Sequence, residues 1–342
     1  MAKASALLVG LKSVDPACYD GWDGTNGCWG CELDVENMAR ILKSCGYQIQ
    51  TLKTSEATRN KILSSLYLAA ENRTAGDVFV FYYSGHGGQQ PDISGDELDG
   101  KDETLVAYDR EIIDDKIHNM LTKFRSGVHT IMISDSCNSG TNYRGRRSVN
   151  IDEGAIFRPV ARSPKREVDM KAQLIHLGGC RDGFTSAGYD GGGAFTMALC
   201  EAWNNGIFQG TLKELHNEIC RSIRSDQKPQ YSEYGSVSDA FRNQRAFDIP
   251  GQIYTAKTIS ASVGIRGKNR YDDVRTVQEL LNHAGDGGPR PKLDVDGKCG
   301  RKTEKAIQQF QLHHFGWRLA DGRVDPDGPT LAKLNRFTSD SF

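Results

Sequence analysis

Val78-Phe79-Val80-Phe81-Tyr82-Tyr83-Ser84-Gly85-His86-Gly87 and Thr130-Ile131-Met132-Ile133-Ser134-Asp135-Ser136-Cys137-Asn138-Ser139-Gly140 share one construction. Each opens with a short β-type apolar run and stops abruptly in small residues. A histidine ending one strand and a cysteine ending the next can meet at one edge of a parallel sheet. Open α/β sheets place their chemistry at that edge. A thiol near an imidazole becomes a usable nucleophile, because the base takes its proton and the thiolate attacks. The small neighbours Gly85, Gly87, Ser139 and Gly140 let backbone N–H groups approach a developing oxyanion. The bland alternative is a buried histidine and a core cysteine.

Further segments sharpen the reading. Ser84-Gly85-His86-Gly87 and Asp135-Ser136-Cys137-Asn138-Ser139-Gly140 resemble the His and D-x-C-x-S-G motifs of the caspase/hemoglobinase family, in its metacaspase and prokaryotic orthocaspase branch. The histidine precedes the cysteine by about fifty residues, as in caspases. Gly30-Cys31-Glu32-Leu33-Asp34 resembles the metacaspase segment after the first strand. Gly179-Cys180-Arg181-Asp182-Gly183-Phe184-Thr185-Ser186-Ala187 resembles the opening of the small subunit, and Gly193-Ala194-Phe195-Thr196 the helix start that follows. The similarity spans roughly residues 5 to 245, with the motifs in family order. It implies a caspase/hemoglobinase-type α/β fold and a cysteine endopeptidase with Cys137 as nucleophile and His86 as base.

The coarse pattern is that of an α/β domain. Strands are expected at Ala6–Leu11, Tyr47–Leu52, Val78–Tyr83, Val128–Ser134 and Leu174–Leu177. Helical periods lie between them: Asp34 to Cys45, with Val35, Met38, Ala39 and Leu42 on one face and Gly46 as its stop, and Thr58 to Ala70, with Ile62, Leu63, Leu66 and Leu68 apolar. Strands alternating with helices imply a mostly parallel sheet covered on both faces. Two linkers are expected to interrupt it, an acidic one at 92–115 and a basic one at 142–170. The peptidase domain is expected to cover 1–250, with a large portion at 1–141, the basic loop at 142–170 and a small portion at 171–250. A small helical module is expected at 251–342.

At 342 residues and 38% hydrophobic content the chain can bury two cores. A net charge of −1 supplies no global field for nucleic acid or an anionic membrane. Met1 to Gly10 runs straight into a strand without the layout of a secretion signal, and no stretch reaches bilayer-spanning length. Nine cysteines without framework spacing suggest reduced thiols and so a cytoplasmic location; a monomer is expected. Cys28-Trp29-Gly30-Cys31 could be half a zinc site or a redox pair, but no second ligand pair accompanies it. The preferred reading makes Cys31 a pocket residue and Cys28 incidental.

The resemblance also implies specificity. The acidic metacaspase pocket maps onto Asp34 and Asp135, with Cys31 and Ser84 lining it, and two carboxylates in a narrow pocket select Arg or Lys. For Asp34 the competing role is capping a helix that begins at Val35. In the acidic stretch, the calcium-binding pattern of metacaspases carries onto Asp102, Asp114 and Asp115. The further Asp that the family supplies after the cysteine falls near Arg144, a cation, and such an acidic loop is otherwise just solvated. The chemistry itself requires no cofactor. The 142–170 loop begins just after the nucleophile and is rich in cations. A basic-specific enzyme would cut itself there, after Arg144, Arg146, Arg147, Arg162, Lys165 or Arg166.

Beyond residue 251 the character changes. Asp272 to His283 (Val274, Val277, Leu280, Leu281) and Thr303 to Phe315 (Ala306, Ile307, Phe310) read as amphipathic helices, and a third opens at Pro329. Residues 272 to 335, with Asp296-Gly297-Lys298 and Asp321-Gly322-Arg323-Val324-Asp325-Pro326-Asp327-Gly328, resemble the peptidoglycan-binding type 1 domain, a three-helix unit. Its ligand would be a glycan or a small molecule, or the fold serves docking or regulation. The leading function is therefore a peptidase acting on proteins or peptides with Arg or Lys. The alternative is a ligand-triggered bacterial defence effector sensed through the last domain. A catalytically dead scaffold fits poorly with intact His86 and Cys137.

Overall fold

The computed structural model describes residues 2–91, 101–137, 170–179, 192–206, 208–223, 229–251, 257–284 and 287–340. The chain divides into two compact units, one of residues 1–43, 47–202 and 209–250, the other of 44–46, 203–208 and 251–342. Among the described residues no helix is long and apolar enough to cross a membrane.

The first unit is built on strands β1 (Ala4–Gly10), β2 (Gln48–Lys53), β3 (Val78–Pro91), β4 (Lys101–Val106), β5 (Glu111–Ile113), β6 (His129–Cys137), β7 (Gln173–Gly178) and β8 (Gln230–Tyr234). The sheet order is β2-β1-β3-β6-β7-β8; the first five run parallel and β8 is antiparallel to β7. All seven residues of β1 are buried, as are Val78 to Tyr83, which is why these strands read as continuous apolar runs rather than alternating ones. Helices α1 (Cys31–Lys43), α2 (Arg59–Glu71), α3 (Asp114–Leu121), α4 (Ala194–Trp203), α5 (Leu212–Ser222) and α6 (Asp239–Arg242) complete the unit. Leu7, Val9, Phe79, Phe81, Tyr83 and Met132 form one core with Ile62 and Leu66 of α2 and Ile117 and Leu121 of α3. Each such side chain contributes about 1.5–3 kcal/mol by leaving water. Thr58 caps α2, its hydroxyl accepting from the Lys61 amide.

Three expectations are corrected. The acidic stretch 92–115 is no simple linker: β3 continues to Pro91, and β4 and β5 add antiparallel pairs to its far end. Thr104, Leu105 and Val106 are buried there, and the Thr104 hydroxyl donates to Glu111 Oε2 at 3.0 Å. The flanking carboxylates hid this short apolar centre. Helix α1 begins at Cys31, so Asp34 lies inside its first turn and does not cap it. Leu68 of α2, counted among the apolar residues of that helical period, is 58% exposed.

The second unit holds helices α7 (Tyr271–His283), α8 (Arg301–Phe315) and α9 (Pro329–Leu334), with a two-stranded ladder of β9 (Val263–Gly264) and β10 (Arg323–Val324). Val274, Val277, Leu280, Leu281, Ala306, Ile307, Phe310 and Leu331 form its core. One polar device occurs twice. Gln278 Nε2 donates to Asp296 Oδ1 (2.9 Å), the Lys298 carbonyl (3.2 Å) and Thr303 Oγ1 (3.1 Å), while its Oε1 accepts from the Gly297 amide (3.0 Å). Gln311 repeats this with Asp321 (2.9 Å), Arg323 (2.8 Å), Thr330 (3.1 Å) and Gly322 (2.7 Å). Gly297 and Gly322 hold φ of 72° and 73°, a left-handed turn that glycine tolerates. The module is thus an internal duplication of helix, Asp-Gly turn and helix start.

Candidate active site

Strand β3 runs alongside β1 to Ser84 and alongside β6 to His86, and then leaves them to pair with β4. The last register partners of β3 and β6 are His86 and Cys137, at the carboxyl edge of the parallel sheet. That edge, beside the point where strand order reverses at β1 and β3, is where doubly wound sheets form their crevice.

His86 is 3% exposed and held on several sides. Its Nε2 lies 2.9 Å from the Gly24 carbonyl oxygen, and the Trp22 ring tilts against the imidazole with centroids 5.0 Å apart. A carbonyl oxygen can only accept, so Nε2 carries the proton and Nδ1 carries the basic lone pair. The Tyr83 hydroxyl donates to the His86 carbonyl at 2.6 Å and to the Val106 carbonyl at 2.9 Å, tying the turn down. The arrangement suits a base whose ring orientation is fixed by its non-reacting nitrogen.

The residues expected to line a pocket converge beside this edge. Ser84 and Asp135 are register partners on β3 and β6, and the Ser84 hydroxyl donates to Asp34 Oδ2 at 2.8 Å. Cys31 stands one turn before Asp34 on α1 and is buried. Both carboxylates are buried, Asp34 completely. The Gly193 amide donates to both oxygens of Asp34, at 2.9 and 3.0 Å. Thr196 donates twice to Asp135 Oδ2, from its amide at 2.9 Å and its hydroxyl at 2.7 Å. Burial, followed by repulsion from Asp135, pushes the Asp34 carboxyl up to about 7, against the pull of Gly193 and Ser84. Burial also raises Asp135, and the Thr196 bonds oppose that rise.

Other candidates divide. Asp114 and Asp115 open α3, and the Asp114 Oδ1 accepts from the Asp115 amide at 2.8 Å. Asp102 lies on β4, two positions beyond Thr104, the last residue paired with β5, at the end where α3 begins. Among the described residues no three His, Cys, Asp or Glu side chains gather as a metal site. Cys28 and Cys31 are buried thiols packed together. Arg144, Arg146, Arg147, Arg162, Lys165 and Arg166 lie outside the described residues, as do Ser139 and Gly140.

Sequence reasoning missed Gly24 as the partner of His86, and Gly193 and Thr196 as the partners of the acidic pair. The motif Gly193-Ala194-Phe195-Thr196 marked a helix start; an N-terminal turn offers free amide donors, and that was the available signal. Gly192 and Gly193 pass so close to the carboxylates that a methyl group on Gly193 would meet both, Asp34 Oδ2 at 3.0 Å.

Comparison with known proteins agrees with this geometry. The Caspase domain family matches residues 4–241 and a peptidoglycan binding domain family matches residues 270–334. Metacaspase-1A of Aspergillus fumigatus is 34% identical over 154 residues, 41% of this chain and 35% of that one. Metacaspase-1 of Cryptococcus neoformans is 26% identical over 291 residues, 67% of this chain and 62% of that one. The chain therefore spans about a third of the length of the first relative and three fifths of the second. A crystal structure of a protein from Geobacter sulfurreducens superposes with a TM-score of 0.60 at 35% identity, covering 72% of this chain and 99% of that one. With its matching model, its sheet order and its paired His86 and Cys137, the chain belongs to the caspase family, has metacaspases among its relatives, and carries a second, peptidoglycan-binding-like module.

Proposed function

We propose that the protein is a cysteine endopeptidase that cleaves after Arg or Lys. The register pairing of His86 with Cys137 at the carboxyl edge carries the reading. His86 Nδ1 takes the thiol proton, the Cys137 thiolate attacks the scissile carbonyl, and the imidazolium returns the proton to the leaving amine. Water then hydrolyses the thioester with His86 again as base, and the thiol is restored. The buried pair Asp34 and Asp135, with Ser84 and Cys31, holds the basic side chain that precedes the scissile bond. A carboxylate pair recognises a guanidinium fork better than an ammonium, so Arg is preferred to Lys. Self-cleavage falls within 142–170.

Calcium is proposed as a regulator that would draw Asp102, Asp114 and Asp115 together; Asp102 lies on β4 just beyond the Thr104–Ile113 pair, on the side where α3 begins. The ion takes no part in the chemistry. The enzyme works as a monomer in a reducing, cytoplasmic compartment. The match of residues 270–334 favours a second reading in which a glycan or small molecule on that module triggers the peptidase, as in a defence effector.

Fluorogenic peptides ending in Arg, Lys or Asp, offered to wild type and Cys137→Ala with and without Ca²⁺, test these points together. Hydrolysis of Arg peptides by wild type alone supports the central reading. Equal turnover by Cys137→Ala, or preference for Asp, overturns it.

A further inference from the structure

Asp34 and Asp135 come from α1 and β6, yet three of the donors that hold them belong to one short stretch at the start of α4, Gly193 to Thr196. Thr196 is fully buried, and its hydroxyl is part of a relay. Its Oγ1 donates to Asp135 Oδ2 at 2.7 Å, which leaves it to accept the Tyr82 hydroxyl proton at 2.6 Å. Tyr82 is also fully buried, and burial together with the two carboxylates raises its hydroxyl well above the ordinary range, so it remains a donor at any working pH. The order Tyr82 O–H to Thr196 O–H to Asp135 is therefore one-directional while Asp135 is ionised. Both Thr196 bonds land on the same oxygen, Oδ2.

We propose that Thr196 is a positioning residue for the acidic pocket: it aims Asp135 and holds it ionised, and so sets the acid limit below which a basic side chain is no longer accepted. This rests on the reading of Asp34 and Asp135 as the pocket for a basic residue. The physical reason is the environment. Two buried carboxylates flanking one glycine cannot both stay charged without donors, and a protonated carboxyl attracts no guanidinium. Among the described residues, the titratable groups that feel the pair include Tyr82 of β3 and Cys200 of α4, and Cys31 stands one turn before Asp34 on α1. Cys200 is pushed up to about 11 by burial and by Asp34, with Arg40 pulling it down, so it stays a neutral thiol. Asp34, raised to about 7, therefore titrates near neutral pH.

The test uses the full chain with Thr196→Val, Thr196→Ser and Tyr82→Phe. KM and kcat for an arginyl fluorogenic peptide are measured from pH 5.5 to 9. The rate at which iodoacetamide alkylates Cys137, which needs no pocket, is measured beside them. Thr196→Val should raise KM at pH 7 about tenfold or more, the loss expected for a charge-assisted hydrogen bond, and move the acid limb of 1/KM to higher pH. Tyr82→Phe should move both less, in the same direction. Thr196→Ser should restore both, and alkylation should stay near wild type throughout. An unmoved acid limb in Thr196→Val, failure of Ser to rescue, or a parallel fall in alkylation overturns the proposal alone. A wild type that cleaves after neutral or acidic residues overturns the pocket reading, and the proposal with it.

Discussion

The backbone amide of Gly193 bonds both oxygens of Asp34, at 2.9 and 3.0 Å, across 159 residues of chain. This contact joins α1, near the start of the peptidase domain, to α4, which lies beyond the basic loop. Any chain break in 142–170 would thus leave two fragments still held together at the pocket.

Burial and the charge of Asp135, which the Gly193 amide offsets only in part, make Asp34 costly to the fold. Its carboxyl is raised to about 7 when folded, from an ordinary value of 3.8. Between those values the folded state binds more protons than the unfolded one, so stability falls as pH rises and the penalty is complete above about 7. Asp34→Asn keeps an oxygen for Gly193 and removes the charge. Its melting temperature should exceed that of wild type by several degrees at pH 8 and by little at pH 4, at about 2–4 °C per kcal/mol. Hydrolysis of Arg peptides should fall at the same time. A variant destabilised more at pH 8 than at pH 4 would contradict the assignment.

The nucleophile and base should act as a unit. Cys137→Ala and His86→Ala should each lower kcat/KM by several orders of magnitude, and the double variant by little more. Steady-state kinetics on an arginyl peptide checks this. More than a few per cent of residual activity in either single variant is the opposing result.

Self-processing should give fragments of roughly 16–18 and 20–22 kDa, taking about 110 Da per residue for a chain of two-domain size. Denaturing gels should show them in active wild type, while Cys137→Ala should stay a single chain. A non-denaturing column should elute the wild-type fragments together. Equal nicking of Cys137→Ala would show that another protease makes the cut.

In the second unit, Gln278→Ala strips partners from Asp296, Thr303 and the Gly297 amide in one step. Leaving the buried Thr303 hydroxyl and Gly297 amide unsatisfied costs about 1–3 kcal/mol each. The module should melt several degrees earlier by circular dichroism, and Gln311→Ala should do the same, since it holds the equivalent turn. Peptidase kinetics at 25 °C need not change.

The parallel core was legible in the chain because its strands are buried on both faces and are written as unbroken apolar runs, as in Val78 to Tyr83. His86 and Cys137 were legible because each stands where such a run gives way to small residues. The helices of the last module were legible from period and punctuation. The β4–β5 addition was not, because Leu105 and Val106 are an apolar island among carboxylates and their burial depends on the distant end of β3. Local sequence also suggested that Asp34 caps its own helix, and the fold decided otherwise. Its carboxylate meets Ser84, Gly193 and the field of Asp135, groups up to 159 residues away. Chemistry that resides in residue type, such as a thiol, an imidazole or an acid, is written in the chain. Which donors an acid meets, and therefore its charge at neutral pH, depends on burial and on contacts between distant segments, and only the tertiary structure sets those.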